Sequence, residues 1–162
     1  ADRDVLVVVT AGQTDPADLI NLLGGTPPPN VRIAAFIPYD LLLPQADVFV
    51  TNGGYTGVTL ALAHGVPLVQ AGTTEEKAEI AARIRWSGVG LALGTSTPTA
   101  RSVSDGVATV LTEPKFRAAA ERLRAEMAPH DAGREGADLL ERLAATGRPV
   151  HRQPATAETT AP

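Results

Sequence analysis

Short apolar runs alternate with stretches of helical periodicity along the first 92 residues of the chain. The runs are continuous and rich in β-branched residues, which is typical of strands buried on both faces of a parallel sheet. The predicted strands lie near residues 5–10, 31–35, 47–51, 67–70 and 89–92. We expect all of them to run parallel, because helical segments separate most of them.

The segments between the strands predict shorter helices. One short helix is expected at 40–43, a second at 58–64 with Gly65 as a left-handed cap, and a third at 75–87 that stops at Gly88. The segment from 12 to 29 contains a glycine pair and three consecutive prolines, and is expected to hold at most one short helical turn.

The chain becomes helical after residue 92. Thr97 can cap one helix, Pro114 opens a second, and Asp131 can cap a third whose leucines are expected to point inward. The apolar pattern stops at Gly147. We therefore predict one domain over residues 1–147 and a disordered tail over residues 148–162.

This alternation predicts an α/β fold: a Rossmann-like parallel sheet with helices on both faces and right-handed crossovers. Ligands of such sheets bind at the carboxyl ends of the strands. The feature that this rule selects first is the turn at residues 52–57, which joins the strand at 47–51 to the following helix.

Composition excludes several function classes. The net charge is −4 without a basic cluster, so a nucleic-acid surface is not expected. The chain has no cysteine and its three histidines are scattered, which argues against disulfides, thiolate chemistry and a zinc helix. No apolar run approaches the roughly 20 residues of a membrane span, and no signal peptide is apparent. We expect a soluble cytoplasmic protein without a metal or other cofactor.

The turn at 52–57 has the chemistry of an anion site. Gly53 and Gly54 let the backbone approach a ligand, and the first amides of the next helix point outward, unpaired. The alternative is a tight turn that needs glycine only for its geometry. A dinucleotide-binding turn fits less well, because Asn52 occupies the first position of G-x-G-x-x-G and no carboxylate follows the next strand.

Four consecutive pieces of the sequence carry a more specific pattern. They are Phe36 to Tyr39, Leu41 to Asp47, Val50 to Gly57 and Ala61 to Val69. In order and spacing they resemble the donor-site signature of family-1 glycosyltransferases, which include plant and animal nucleotide-sugar enzymes and bacterial macrolide and antibiotic glycosyltransferases. The resemblance covers about residues 5–146. It implies the C-terminal half of a GT-B architecture, which holds a UDP- or dTDP-sugar while an N-terminal domain holds the acceptor.

The resemblance implies a role for three residues near the nucleoside. Phe36 stands where an aromatic ring stacks on the base, although it could equally be a core residue at a strand end. The backbone of Ile37 would pair with the base edge. Tyr39 takes a position near the ribose that is often held by glutamine in the family.

The resemblance also implies the diphosphate contacts. Asn52 replaces a histidine that the family commonly uses on the diphosphate, and an asparagine amide can donate to phosphate without adding charge. Gly53 and Gly54 form the corner itself. The backbone amides of Tyr55, Thr56 and Gly57, together with the Thr56 hydroxyl, would meet the phosphates. Tyr55 could alternatively be a packing residue.

The sugar-facing Asp-Gln pair of the family appears here as Glu76 and Lys77. Glu76 retains a carboxylate that can accept sugar hydroxyls, and Lys77 adds a charged donor. The alternative is that both merely form a solvated first helical turn. Leu60 replaces a family glutamate that meets the ribose hydroxyls, so the resemblance implies donor binding without specifying the donor. His64 is expected to be a helix-end residue and not a catalytic base.

No residue matches the family's catalytic base, a histidine of the acceptor domain, and no catalytic residue is assigned. The family's first strand, loop and helix are also missing before residue 5. We expect unpaired backbone groups beside the strand at 5–10, filled by another chain, by rearrangement or by self-association.

Two hypotheses follow for the function. The chain is the donor-binding part of a glycosyltransferase that transfers a hexose to a small-molecule acceptor held by a missing N-terminal domain. Alternatively, it is a stand-alone nucleotide-sugar-binding or degenerate domain without turnover.

Overall fold

The computed structural model describes residues 4–151, in which strands and helices alternate as far as residue 92. The strands are β1 (Val7–Thr10), β2 (Val31–Ala34), β3 (Phe49–Thr51), β4 (Leu68–Gln70) and β5 (Gly90–Ala92). The helices are α1 (Pro16–Leu22), α2 (Tyr39–Leu42), α3 (Tyr55–Ala63), α4 (Lys77–Ser87), α5 (Ala100–Thr112), α6 (Pro114–Met127) and α7 (Ala132–Thr146), with a 3-10 turn at Leu43–Gln45. The chain divides into two compact units, Ala1–Arg124 and Ala125–Pro162.

All five strands of the first unit pair in parallel, as the sequence predicts, but they form two sheets and not one. β1 pairs with β2, while β3, β4 and β5 form a second sheet with β4 in the middle. Within residues 4–151, β1 and β3 each have one edge without a strand partner. Among the described residues β1 has a strand partner on one edge only, and what fills its other edge stays a prediction.

The core lies on both faces of the central strand β4. Successive side chains of a strand point to opposite faces. Leu68 accordingly packs in one cluster with Val58 and Ala61 of α3 and with Ile84 of α4. Val69 packs in a second cluster, with Val110 of α5 and Phe116 of α6. Helices therefore cover both faces of the three-stranded sheet, as predicted.

The first two strands are much less buried than their apolar sequence predicts. Leu6 is 65% exposed and Val7 is 41% exposed, and no described residue before Leu43 is buried. The expectation of a first strand buried on both faces is wrong. A strand is buried that way only when neighbouring strands and covering helices surround it, and β1 has a strand partner on one edge alone.

Several helix boundaries differ from their predicted positions, and α3 begins at Tyr55 and not at residue 58. The segment at 12–29 holds a two-turn helix, because the Asp15 carboxylate accepts from the Ala17 amide and Pro16 opens the helix. The cap of α5 is Thr99 and not Thr97, since its hydroxyl accepts from the Ser102 amide. α4 begins at Lys77, two residues later than predicted, directly after the Glu76 cap.

The second unit contains the end of α6 and all of α7. The Asp131 carboxylate caps α7 by accepting from the Arg134 amide, as predicted, and Gly147 ends the helix in the left-handed conformation. The leucines of α7, expected to point inward, are instead exposed: Leu139, Leu140 and Leu143. Among the described residues of this unit, no element covers their stripe. Most of the tail predicted at 148–162 lies outside the described residues.

None of the helices within residues 4–151 is long and apolar enough to span a bilayer.

Candidate functional site

The predicted corner lies at the carboxyl end of β3, where Asn52, Gly53 and Gly54 lead directly into α3. The Thr51 hydroxyl accepts from the Gly53 amide at 3.1 Å, and the Asn52 side-chain carbonyl accepts from the Gly54 amide at 3.1 Å. Gly53 has a φ of +92°, which only glycine adopts without strain. Two of the corner's amides are therefore already paired within the protein.

The amides that remain available are those of the first turn of α3. The first bond inside this helix runs from the Val58 amide to the Gly54 carbonyl, so the amides of Tyr55, Thr56 and Gly57 have no partner in the helix. A side-chain oxygen caps each of α1, α5 and α7, but no side chain caps α3. These amides carry the positive end of the helix dipole and suit an anion.

The exposure of Tyr55 and Thr56 fits a ligand-facing position. Tyr55 is 66% exposed, which speaks against the packing role considered for it. Thr56 is also exposed, so its hydroxyl is accessible beside the helix amides. Asn52 is exposed as well, and its amide nitrogen stays available because only its carbonyl oxygen is used at the corner.

The residues expected near the nucleoside follow β2. Phe36 is 76% exposed, which excludes the core role considered for it and leaves its ring free for stacking. Ile37 is partly buried. Tyr39 opens α2, and its ring packs edge-on against Phe49 of β3, with ring centroids 5.4 Å apart. The Tyr39 ring therefore packs against β3, close to Gly57 in the first turn of α3. Its place near the ribose stays a prediction.

The residues expected near the sugar follow β4. Glu76 is exposed, whereas the Lys77 side chain is only 15% exposed. The Lys77 ammonium donates to the Glu75 carboxylate at 2.5 Å. This hydrogen bond lowers the pKa of Glu75 and raises the pKa of Lys77. Glu76 thus presents an exposed carboxylate to solvent. The Lys77 ammonium is held in place by its hydrogen bond to Glu75.

Sequence reasoning missed three residues that shape this site. Glu75 has a φ of +55°, the only positive value for a described residue other than glycine, and no sequence signal marks it. The Ser96 hydroxyl accepts from the Thr73 amide at 3.0 Å and ties the loop after β4 to the loop after β5. Gln70, the last residue of β4, is completely buried beneath the corner. A polar residue at the end of an apolar run was the available signal for Gln70.

A shallow, mostly apolar hollow of about 270 Å³ opens beside the corner. It is lined in part by Val50, Thr51 and Asn52 of the β3 end and by Val103 of α5. The described residues include no cluster of three or more His, Cys, Asp or Glu side chains that could hold a metal ion. The site offers backbone amides, hydroxyls, the Asn52 side-chain amide and the Glu76 carboxylate as its binding groups.

His64 lies where a helix-end role places it. Its backbone amide bonds to the carbonyls of Leu60 and Ala61 at the end of α3, and Gly65 follows in the left-handed conformation. Both features are as predicted from the sequence. The corner and His64 are at opposite ends of the same helix.

Comparison with known proteins identifies relatives of this domain. Residues 1–143 match the family model of the erythromycin biosynthesis protein CIII-like C-terminal domain. The chain is 50% identical over 143 residues to 4'-demethylrebeccamycin synthase of Lentzea aerocolonigenes, which covers 88% of this chain and 32% of that protein. It is 44% identical over 144 residues to UDP-glycosyltransferase 2 of Phaeomoniella chlamydospora, covering 89% of this chain and 31% of that protein.

Solved glycosyltransferase structures share the fold. The glycosyltransferase VinC, crystallised with dTDP, superposes with a TM-score of 0.79 at 29% identity, covering 90% of this chain and 35% of VinC. The calicheamicin glycosyltransferase CalG4 gives a TM-score of 0.79 at 28% identity, covering 92% of this chain and 37% of CalG4. This chain therefore spans about one third of the length of the proteins it matches. It belongs to the family of erythromycin biosynthesis protein CIII-like C-terminal domains, the C-terminal part of GT-B glycosyltransferases.

Proposed function

We propose that this domain binds the nucleoside-diphosphate sugar donor of a glycosyl transfer, with UDP or dTDP as the nucleotide. The observation that carries the proposal is the start of α3, where three helix amides without a side-chain cap stand next to an exposed threonine hydroxyl. A diphosphate would satisfy these donors and the helix dipole together. The dTDP present in the VinC crystal supports a nucleotide as the ligand.

Binding roles follow for the other residues. In this proposal Phe36 stacks on the base, the Ile37 backbone pairs with its edge and Tyr39 lies near the ribose. Asn52 donates its side-chain amide to the diphosphate, and Glu76 accepts hydroxyls of the sugar with Lys77 beside it. Gly54 keeps the approach to the amides open, whereas a Cβ on Gly53 would lie against the buried Gln70 side chain.

Sugar transfer also requires a bound acceptor and a general base. We propose that a small-molecule acceptor is held by a further domain, which also supplies the general base. General-base assistance contributes about 10²–10⁴-fold, and the base must lie within hydrogen-bond reach of the acceptor. The names of the relatives, which are synthases and transferases, favour this role over a non-catalytic binding domain.

Several wider expectations remain predictions: a bacterial origin, a cytoplasmic location, no metal or other cofactor, and no nucleic-acid partner. Self-association through the open edge of β1 is also a prediction. A strand added there would pair backbone groups that the described structure leaves without a strand partner.

A calorimetric titration tests the proposed ligand. dTDP and UDP should bind the 162-residue chain, and NAD should not. Thr56→Val removes a hydroxyl that we place on the phosphates, and a hydrogen bond to a charged group contributes about 1.5–3 kcal/mol. We expect the variant to bind roughly ten- to 150-fold more weakly. Thr109→Val, on α5, is the control and should bind like the parent. NAD binding as tight as that of dTDP and UDP would contradict the proposal.

A further inference from the structure

Gln70 is the only fully buried polar residue among residues 4–151. It ends β4 and lies on the same face as Leu68, which is also completely buried. Burying an amide costs free energy unless hydrogen bonds compensate for the lost water. The partners of Gln70 therefore indicate what this residue contributes.

The side-chain amide of Gln70 bridges two loops. Its nitrogen donates to the Asn52 carbonyl at 3.1 Å and to the Gly72 carbonyl at 2.8 Å. Asn52 follows β3 and opens the glycine corner, while Gly72 lies in the loop that leads from β4 to the sugar-facing residues. One buried group thus holds both halves of the proposed donor site together.

The two glycines next to this bridge are required by it. A Cβ on Gly53 would lie 2.6 Å from the amide nitrogen of Gln70, and a Cβ on Gly72 would overlap the Asn52 carbonyl. The two loops therefore pack around the Gln70 amide without room for a side chain. The backbone position of the corner depends on Gln70 as well as on its own glycines.

The other half of the amide is not satisfied. The Gln70 side-chain oxygen is buried and has no hydrogen-bond partner in the described structure. An unsatisfied buried acceptor lowers the stability of the fold, whereas an apolar residue of the same shape avoids that cost. Stability alone therefore does not account for a glutamine at this position.

We propose that Gln70 is a positioning residue of the donor site. It fixes the Asn52 carbonyl and thereby the direction in which the amides of Tyr55, Thr56 and Gly57 point toward the diphosphate. The inference rests on the proposed nucleotide-binding function, and it adds a residue that never touches the ligand.

The substitution Gln70→Met tests this role, because methionine has a similar length and volume but forms neither bond. We expect at least a tenfold increase in the Kd for dTDP or UDP in calorimetry. The Tm should stay within a few degrees of the parent, since the unsatisfied oxygen is removed together with the two bonds. Leu68→Met, on the same face of the same strand, is the matched control and should bind like the parent.

Comparing the nucleotide affinity of these variants with their stability distinguishes a positioning role of Gln70 from a packing role. Unchanged affinity in a folded Gln70→Met variant overturns the inference, and so does an affinity loss that the Leu68→Met control shares. If Gln70→Met does not fold, Gln70→Asn replaces it; the amide is then one methylene too short for both carbonyls, and the same loss of affinity is expected. A folded Gln70→Asn variant with parental affinity would overturn the inference. A parent that binds neither nucleotide contradicts the proposed function itself.

Discussion

Gly54 is the residue whose substitution best distinguishes an effect on ligand binding from an effect on folding. It has an extended backbone, and an added Cβ would contact only the Asn52 side-chain oxygen, at 3.6 Å. The fold therefore has room for a side chain at this position. We expect that side chain to block the ligand's approach to the α3 amides.

We expect Gly54→Val to remain folded, with a Tm within about 2–4 °C of the parent, which corresponds to roughly 1 kcal/mol for a chain of this size. It should lose the thermal shift that UDP or dTDP produces. Gly136→Val, at a partly exposed site on α7 where an added Cβ would meet open space, should keep the shift. Equal shifts in Gly54→Val and the parent would mean that the corner is only a turn.

The ion pair of Glu75 and Lys77 makes the stability of the fold depend on pH. Because the folded state lowers the pKa of Glu75, the unfolded chain binds more protons near its ordinary value of 4.5. The stabilisation by the pair is therefore present above that value and is lost as the pH falls through the lower folded pKa. Glu75→Gln should have a slightly lower Tm than the parent at pH 7, and the two proteins should converge as the pH falls below the lowered pKa of Glu75. A difference in Tm that grows on acidification would contradict this assignment.

At the scale of elements, local signals predicted the Asp131 cap of α7 but missed the Thr99 cap of α5 and the contacts between loops. Gly65 follows α3 in the left-handed conformation, as expected, because glycine adopts it at little cost, and Gly88 ends α4 in the same conformation. The left-handed Glu75 and the bridge made by Gln70 could not be predicted, since each depends on groups brought together by the fold. The strand positions were evident from apolar runs, whereas the division into two sheets depends on what lies beside β1.

The open edge of β1 predicts association. Unpaired strand edges pair with other chains, and an edge lysine opposes such pairing. We expect concentration-dependent association of the 162-residue chain in sedimentation velocity, reduced by Val7→Lys. Leu139→Lys, on the exposed face of α7, is the control and should leave association unchanged. A larger effect of Leu139→Lys would assign the association to α7, and a monomer at all concentrations would contradict the prediction.

At the scale of the whole molecule, donor binding and transfer are separable. The described residues supply the proposed diphosphate and sugar contacts, whereas no residue is assigned as a general base. Positioning two reactants together contributes about 7–11 kcal/mol, in addition to the base. The purified 162-residue chain should therefore transfer no sugar above background from UDP- or dTDP-glucose to phenolic or macrolide acceptors, as measured by mass spectrometry. Multiple turnover that is lost in His64→Ala would show that a base had been overlooked.

The most direct test of the account is the thermal stability of the chain with and without nucleotide. A ligand at 100 times its Kd adds about 2.7 kcal/mol to the free energy of unfolding. For a chain of this size that is a rise in Tm of roughly 5–11 °C. We predict this rise with dTDP or UDP, its absence with NAD, and its loss in Gly54→Val. A Tm that neither dTDP nor UDP changes, with no heat of binding at millimolar nucleotide, would contradict the central claim.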